Sequence, residues 1–405
     1  MKRKILLMVS IVVMAYHLSS CKSSQSTISK PVTVTQPVIH VVEEPVREKP
    51  KSKPEKQLYR NSLTLGIVMP FYLSDNFPEG VESDSVDIDA RSMQALSFYE
   101  GALLAADSIK KTGIHIQLRI ADNSTDTSAH QWMLMNYQWL KQNDLNFIHF
   151  ASNQCDEIAR SAEKFRLPVI ISQCNNLSEA LNEFTALITP STRTQCTEAM
   201  KFVIDEFPMH TVAVMARQTG RENDLADIFL NALNRLSPGK AVRISPSDTA
   251  SWKQRISAST SETVMVLASS DEYFVTAILN SLDMTGRKIT VIGMPTWENF
   301  ETIRLGSFNN LDVICFNASW LEFTDEEVKS FRDRYLSQYK TDINWHSWQG
   351  MQTVIFASHA AYTEKVKDIF PQLFPLVATG GFENQSVSII RYSGFEAIRL
   401  KRTKP

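Results

Sequence analysis

The sequence predicts an α/β protein of two lobes, each a doubly wound parallel sheet, joined by a three-strand hinge. Three observations carry this prediction. Short continuous apolar runs, such as LTLGIVM at 63–69, mark strands buried on both faces. These runs alternate with segments of helical apolar spacing, which is the βαβ pattern. The alternation comes as two successive series of about five units each, within a chain of 405 residues that has room for roughly two domains.

In the first series, the strand at 63–69 is ended by Pro70. The segment 90–111 sets Met93, Leu96, Tyr99, Leu103, Ala106 and Ile109 at helical spacing and stops at Gly113. A strand at 114–120 runs into Asp122-Asn123. A helix at 127–141 carries Trp132 and Trp139, seven apart and read as core. Strand 145–150, helix 155–165 and strands 167–172 and 185–188 complete the series. The second series runs helix 193–206, strand 211–216, helix 222–236, strand 240–244, helix 250–258, strand 263–268, helix 271–284, and strands 288–293 and 311–316. Helices at 324–339 and 347–366 and a strand-forming tail at 387–400 follow.

The first sixty residues read differently. Lys2, Arg3 and Lys4 precede an apolar run at 5–16, twelve residues where a membrane span needs about 20. Leu18-Ser19-Ser20-Cys21 then resembles a bacterial lipobox, in which the cysteine thiol takes the diacylglycerol. The resemblance implies a signal peptide at 1–20, lipidation at Cys21, and a cell-envelope location facing the periplasm, with the outer membrane expected. Residues 22–60 hold five prolines, no glycine and a single aromatic, Tyr59. Such a stretch cannot bury enough apolar surface to order itself, so 21–60 is expected to be a disordered, extended tether reaching on the order of 100 Å.

Charge excludes one large class of partner. Without residues 1–20 the chain has 39 bases and 44 acids, or −5, and residues 61–405 have 31 and 40, or −9. A folded part that acidic lacks the footprint of a nucleic-acid binder. The chain contains none of GxxxxGK[ST], GxGxxG, HExxH, GxSxG or CxxC, and its eight histidines never pair at three- or four-residue spacing. No catalytic residue, metal site or cofactor is therefore expected, and the protein is not expected to be an enzyme. His346, within Asn344-Trp345-His346-Ser347-Trp348-Gln349, reads as packing and capping at a helix start. An insertion at 73–90 with six acids and no base reads as a solvated loop, since the glycine and spacing of a calcium loop are missing. Cys155 and Cys174 follow strands expected to be neighbours. A bridge and two packing thiols both remain open, with the thiols favoured.

The order Leu65-Gly66-Ile67-Val68-Met69-Pro70-Phe71, then Phe98-Tyr99-Glu100-Gly101-Ala102-Leu103-Leu104-Ala105-Ala106-Asp107, then a strand ending in Ala121-Asp122, resembles the type I periplasmic-binding-protein fold. This is the family of leucine/isoleucine/valine-binding proteins and receptor ligand-binding domains. Thr189-Pro190 before a helix is similar to its first interlobe crossing. The resemblance covers about 61–400 and implies lobe one at 61–190 with 320–376, and lobe two at 191–319 with 377–405. It implies a membrane-tethered protein that binds a small polar, amino-acid- or peptide-like ligand for uptake or sensing, with a transporter as partner. The long tether equally suits a non-transport regulator similar to the penicillin-binding-protein activator lipoproteins, whose partner is a peptidoglycan-synthesis enzyme.

In open parallel sheets, ligands sit beyond the carboxyl ends of the strands. That rule selects Tyr72, Ser152, Asn153 and Gln173 on lobe one, and Arg217, Asp271 and Trp297 on lobe two. Arg217 suits a carboxylate, Asp271 an ammonium, Ser152 and Asn153 either, and Trp297 an apolar part. Amino-acid binders of the family use hydroxyls and backbone N–H groups after strands three and four for the carboxylate and a lobe-two acid for the ammonium, places where Ser152 and Asp271 stand. Both are also good helix N-caps, and that reading stays open.

Overall fold

The computed structural model describes residues 57–77, 88–124, 127–174, 180–248, 254, 263–301, 310–393 and 396–403. The expected signal segment, Cys21, the expected tether as far as residue 56 and most of the helix expected at 250–258 lie outside the described residues.

The first series folds as β1 (Ser62–Met69), a one-turn α1 (Leu73–Asn76), α2 (Met93–Lys110), β2 (His115–Asp122), α3 (Ala129–Met135), α4 (Tyr137–Lys141), β3 (Leu145–Ile148), α5 (Cys155–Phe165), β4 (Val169–Ile171) and β5 (Thr185–Leu187). The second series contributes α6 (Thr192–Glu206), β6 (Val212–Met215), α7 (Gly220–Leu236), β7 (Ala241–Ile244), β8 (Thr263–Leu267), α8 (Glu272–Asp283), β9 (Ile289–Gly293) and β10 (Leu311–Asn317). Then come α9 (Glu326–Tyr339), α10 (Trp345–His359), β11 (Phe382–Glu383), β12 (Ser388–Ser393) and β13 (Glu396–Arg402). Two sheets result, ordered β11-β5-β4-β3-β1-β2 and β13-β12-β10-β9-β8-β6-β7.

The strand pattern explains the layers. On β1, Leu63, Leu65, Ile67 and Met69 face the core shared with α2, α9 and α10, while Val68 faces the core of α3 and α5. A strand covered on both faces must be apolar where it is covered, and from Leu65 to Met69 this one is buried and without a polar side chain. Phe98 of α2 stacks on Phe147 of β3, centroids 4.3 Å apart. Helices α2 and α10 cross where Gly101 and Gly350 remove both side chains: a Cβ at Gly101 would run into the carbonyl oxygen of Ser347, and one at Gly350 into that of Phe98. Lobe two builds its own core from β6, β8, β9 and β10, with Trp297 and Phe229 at its centre.

Several expectations change. The helix foreseen at 127–141 breaks at Asn136 (φ −102°, ψ 17°), whose Nδ2 donates to the Trp132 carbonyl. Trp132 is buried as expected, whereas Trp139 is only partly so and carries the Arg119 guanidinium at 5.1 Å. The second sheet is not parallel throughout: β12 pairs antiparallel with both β10 and β13, and for β13 the connection is too short for a crossover. The third crossing is not at 376. Phe382 and Glu383 pair with Ala186 and Leu187 in the lobe-one sheet, so the chain leaves that sheet only beyond Glu383. The other two crossings run between β5 and α6 and between β10 and α9.

Cys155 and Cys174 are joined in a disulfide, Cα atoms 5.6 Å apart, which overturns the preference for two free thiols. The bridge ties the start of α5 to the loop after β4, an arrangement that neighbouring parallel strands bring about. Cys196 and Cys315 are buried, and burial pushes both thiols far up, which leaves them inert. Asn344 and Ser347 form a capping box at the start of α10, as the local sequence suggests. Among the described residues, no helix is long and apolar enough to cross a membrane.

Candidate functional site

The carboxyl edge of the lobe-one sheet is organised by Asp122, the last residue of β2. Its Oδ1 accepts from the backbone N–H of Phe71 and of Ser124, both at 2.9 Å, and its Oδ2 from that of Leu73 at 2.8 Å. These bonds flank Tyr72 and hold it left-handed (φ 51°, ψ 43°), a conformation that costs a non-glycine residue about 1–2 kcal/mol. Asp122 is thus saturated by backbone donors and serves to present the Tyr72 side chain.

Over the Tyr72 ring lies the Arg91 guanidinium, 4.3 Å from the centroid. Arg91 donates from Nε to Asp89 at 3.0 Å and from Nη2 to Asp75 at 2.7 Å. The two carboxylates, Asp89 first, hold the arginine's proton more tightly still, and Arg91 in turn holds Asp89 below the usual carboxylate range. Buried Asn76 closes the knot: its Nδ2 donates to the Phe71 carbonyl and to Ser92 Oγ, and its Oδ1 accepts from the Asp89 N–H at 2.7 Å.

The exits of β2 and β3 complete the edge. Asn123 is 5% exposed; its Nδ2 donates to the His149 carbonyl at 2.6 Å, and its Oδ1 has no hydrogen-bond partner. Because a carbonyl can only accept, the amide is fixed with nitrogen toward His149 and oxygen away from it. His149 Nδ1 is 2.8 Å from Ser172 Oγ, after β4. Burial, reinforced by nearby His346, pulls the His149 pKa down to about 4, so the ring is neutral at physiological pH. Gln154 accepts from the Ala129 N–H at 2.6 Å, fixing the turn that follows β3. Together these exits enclose a pocket of about 780 Å³, reached by Tyr72, Asp75, Arg91, Asn123, His149 and Gln154.

The expected residues fare unevenly against this geometry. Tyr72 lines the pocket. Ser152 and Asn153 occupy the turn between two pocket residues, Ala151 and Gln154, without lining it, and Gln173 is exposed beyond β4. Ser152 caps no helix through its side chain. On lobe two, Asp271 Oδ1 caps α8 through the Phe274 N–H at 2.9 Å, while its Oδ2 takes the Arg217 guanidinium. Arg217 also lies 3.5 Å from buried Glu222. The cap reading of Asp271 is therefore correct, and its second oxygen is committed to an ion pair.

Trp297 is misplaced by the sequence argument. It is fully buried, donates from Nε1 to the Ser269 carbonyl at 2.7 Å and stacks on Phe300. The reason is Gly293 at the end of β9, where any side chain would occupy the indole's place. The tryptophan is a lobe-two core residue and offers no surface to a ligand.

Sequence reasoning missed the Asp75–Arg91–Asp89 cluster and His149. Arg91 is the first base after the acidic run, which was the available signal, and His149 stands at the end of the β3 run. Among the described residues, no group of three or more His, Cys, Asp or Glu side chains could hold a metal ion.

No family model and no curated protein matches the chain. Solved structures do. A putative branched-chain amino acid ABC transporter protein from Rhodospirillum rubrum superposes with a TM-score of 0.61 at 16% identity, over 84% of this chain and 100% of that one. A branched chain amino acid ABC transporter periplasmic ligand-binding protein from Burkholderia xenovorans gives 0.57 at 13% identity, over 85% and 96%. An ABC transporter substrate-binding protein from Desulfitobacterium hafniense, in complex with Leu, gives 0.55 at 13% identity, over 84% and 100%. The fold is the two-lobed type I periplasmic-binding fold.

Proposed function

We propose that this chain, having the type I periplasmic-binding fold, is a periplasm-facing binding protein. In this reading it is anchored through Cys21, in the outer membrane, and takes a small polar, amino-acid- or peptide-like ligand between its lobes for uptake through a transporter or for sensing. The observation that carries the reading is the pocket of about 780 Å³ at the carboxyl edge of the lobe-one sheet, where parallel-sheet proteins place ligands. The proposed contacts are Tyr72, Ser152, Asn153 and Gln173, with Arg217 and Asp271 from lobe two. One of the similar structures is a complex with Leu, which supports an amino-acid-like ligand.

A non-enzymatic role accords with the polar groups of the edge. Ser172, the hydroxyl bonded to His149, is 2% exposed and cannot reach a substrate as a nucleophile.

The test is a thermal-shift screen with amino acids, short peptides and muropeptides. A ligand at about 100 times its Kd should stabilise the fold by about 2.7 kcal/mol. A flat response across the panel would overturn the reading. Fatty-acid labelling checks the anchor: label retained by Cys21→Ala removes that part.

A further inference from the structure

The amino edge of the lobe-one sheet, at the other end of the strands from the pocket, is where the chain enters the fold. Tyr59 and Arg60 donate from their backbone N–H groups to the Ala361 carbonyl at 2.8 and 3.2 Å, and Arg60 pairs with Asp144 in the loop before β3. The register sets this entry beside the starts of the parallel strands: Ser62 of β1 pairs with His115 of β2, Leu65 with Leu145 of β3, and Asn146 with Val169 of β4. Lys367, beyond α10, pairs with Glu183 before β5 and lies 4.8 Å from the Phe184 ring centroid, which places 360–368 at the same edge.

The segments that form this edge, 57–61, 108–114, 139–144, 163–168, 180–184 and 360–368, hold eight bases and five acids. The rest of 61–405 holds 24 bases and 35 acids, so a basic surface stands on an acidic protein. Two of its acids, Asp144 and Glu183, are already paired. Lys110, Lys111, Lys141, Lys164, Arg166 and Lys365 are exposed, and among the described residues none of them has a carboxylate partner. Exposed Leu58, Tyr59 and Tyr362 add side chains of the kind that settle at a membrane interface.

We propose that this edge lies on an anionic lipid bilayer, with its six uncommitted bases against the phosphate headgroups and Leu58, Tyr59 and Tyr362 at the interface. Charge complementarity selects the bilayer, and the chain supplies the placement, since residues 22–56 lead from Cys21, the proposed anchor, into this edge. Contact here leaves the pocket, at the opposite edge, free to take its ligand. The proposal goes beyond the ligand-binding reading and uses only its anchor.

Lysine labelling on vesicles tests it. The full chain is mixed with vesicles of phosphatidylcholine, or of phosphatidylcholine with phosphatidylglycerol, then treated with a water-soluble acetylating reagent and read lysine by lysine by mass spectrometry. Labelling of Lys110, Lys111, Lys141, Lys164 and Lys365 should fall about fivefold on the anionic vesicles, the factor that one base contributes near an anionic surface. Lys288, exposed before β9 in lobe two, should label equally on both. Replacing four exposed bases together, Lys110→Gln, Lys111→Gln, Lys164→Gln and Arg166→Gln, should restore the labelling of Lys141 and Lys365 and leave the thermal-shift response to ligands unchanged. Equal labelling on the two kinds of vesicle, or equal protection of Lys288, overturns the proposal. Protection that survives the quadruple variant overturns it as well, since the basic tether would then make the contact. Flotation with the neutral vesicles reads the anchor separately: its loss, with the five lysines still protected on anionic vesicles, removes the anchor and leaves this surface standing.

Discussion

Glu383 shows how a single buried carboxyl can tie the hinge. It is fully buried at the end of β11, and its Oε1 accepts from the Ser191 N–H at 2.6 Å, so it joins the third crossing to the first. Burial raises its pKa above the ordinary 4.5, against the lowering effect of the Ser191 hydrogen bonds. A carboxyl that binds its proton more tightly in the folded chain lends stability that is fully present below the ordinary value and is lost as the pH rises through the raised one. Glu383→Gln keeps the acceptor and cannot ionise. Its stability should therefore hold between about pH 5 and about pH 8, while the wild-type protein weakens relative to it. Urea unfolding at the two pH values checks this; parallel behaviour of the two proteins would show that folding does not raise the Glu383 pKa. At this scale the sequence was only partly legible. Tyr72 and the Asp271 cap follow from strand ends and capping chemistry, but Arg91 finds Asp75 sixteen residues away, beyond any local spacing rule.

Among the elements, helices α2 and α10 cross in close contact that depends on two glycines from segments far apart in sequence. Gly101→Ala should destabilise by about 1–3 kcal/mol, since the new methyl group meets the Ser347 carbonyl, which α10 cannot withdraw alone. Gly220→Ala at the start of α7 meets nothing within 4 Å and should change stability by no more than about 0.5 kcal/mol. Chemical denaturation of the two variants makes the comparison, and equal losses would refute the close-packing account. Alternation of apolar runs and helical segments made nearly every long element readable in advance. The two-residue β11 was not readable, because so short a strand has no periodicity and is fixed only by pairing with β5. The antiparallel edge was missed for a related reason: strand direction is set by the connection, and the residues of β12 look alike in either orientation.

For the whole molecule, the crossings are held by specific polar ties. Arg399 of β13, in the lobe-two sheet, donates to both carboxylate oxygens of Asp325 at 2.7 Å and lies 3.8 Å from Glu322. Asp325 stands at the start of α9, which packs in lobe one. Arg399 keeps Asp325 below the usual carboxylate range, so this tie is present above the ordinary 3.8 and lost as the pH falls through the lowered value. Replacing the guanidinium while keeping its aliphatic bulk, as in Arg399→Met, should loosen the second crossing. Amide exchange across 318–325 should accelerate roughly tenfold, corresponding to about 1–2 kcal/mol. Unchanged exchange there would mean that the crossing is held by packing alone.

The placement of β11, β12 and β13 has a consequence for how the chain is made. Residues 382–383 finish the edge of one sheet, and 388–402 finish the edge of the other. A polypeptide emerging from the ribosome therefore carries two incomplete sheets until that stretch appears. Val387 and Ile389, both in the lobe-two core, arrive with it. Neither sheet can take its full set of described strands until this C-terminal stretch has been synthesised.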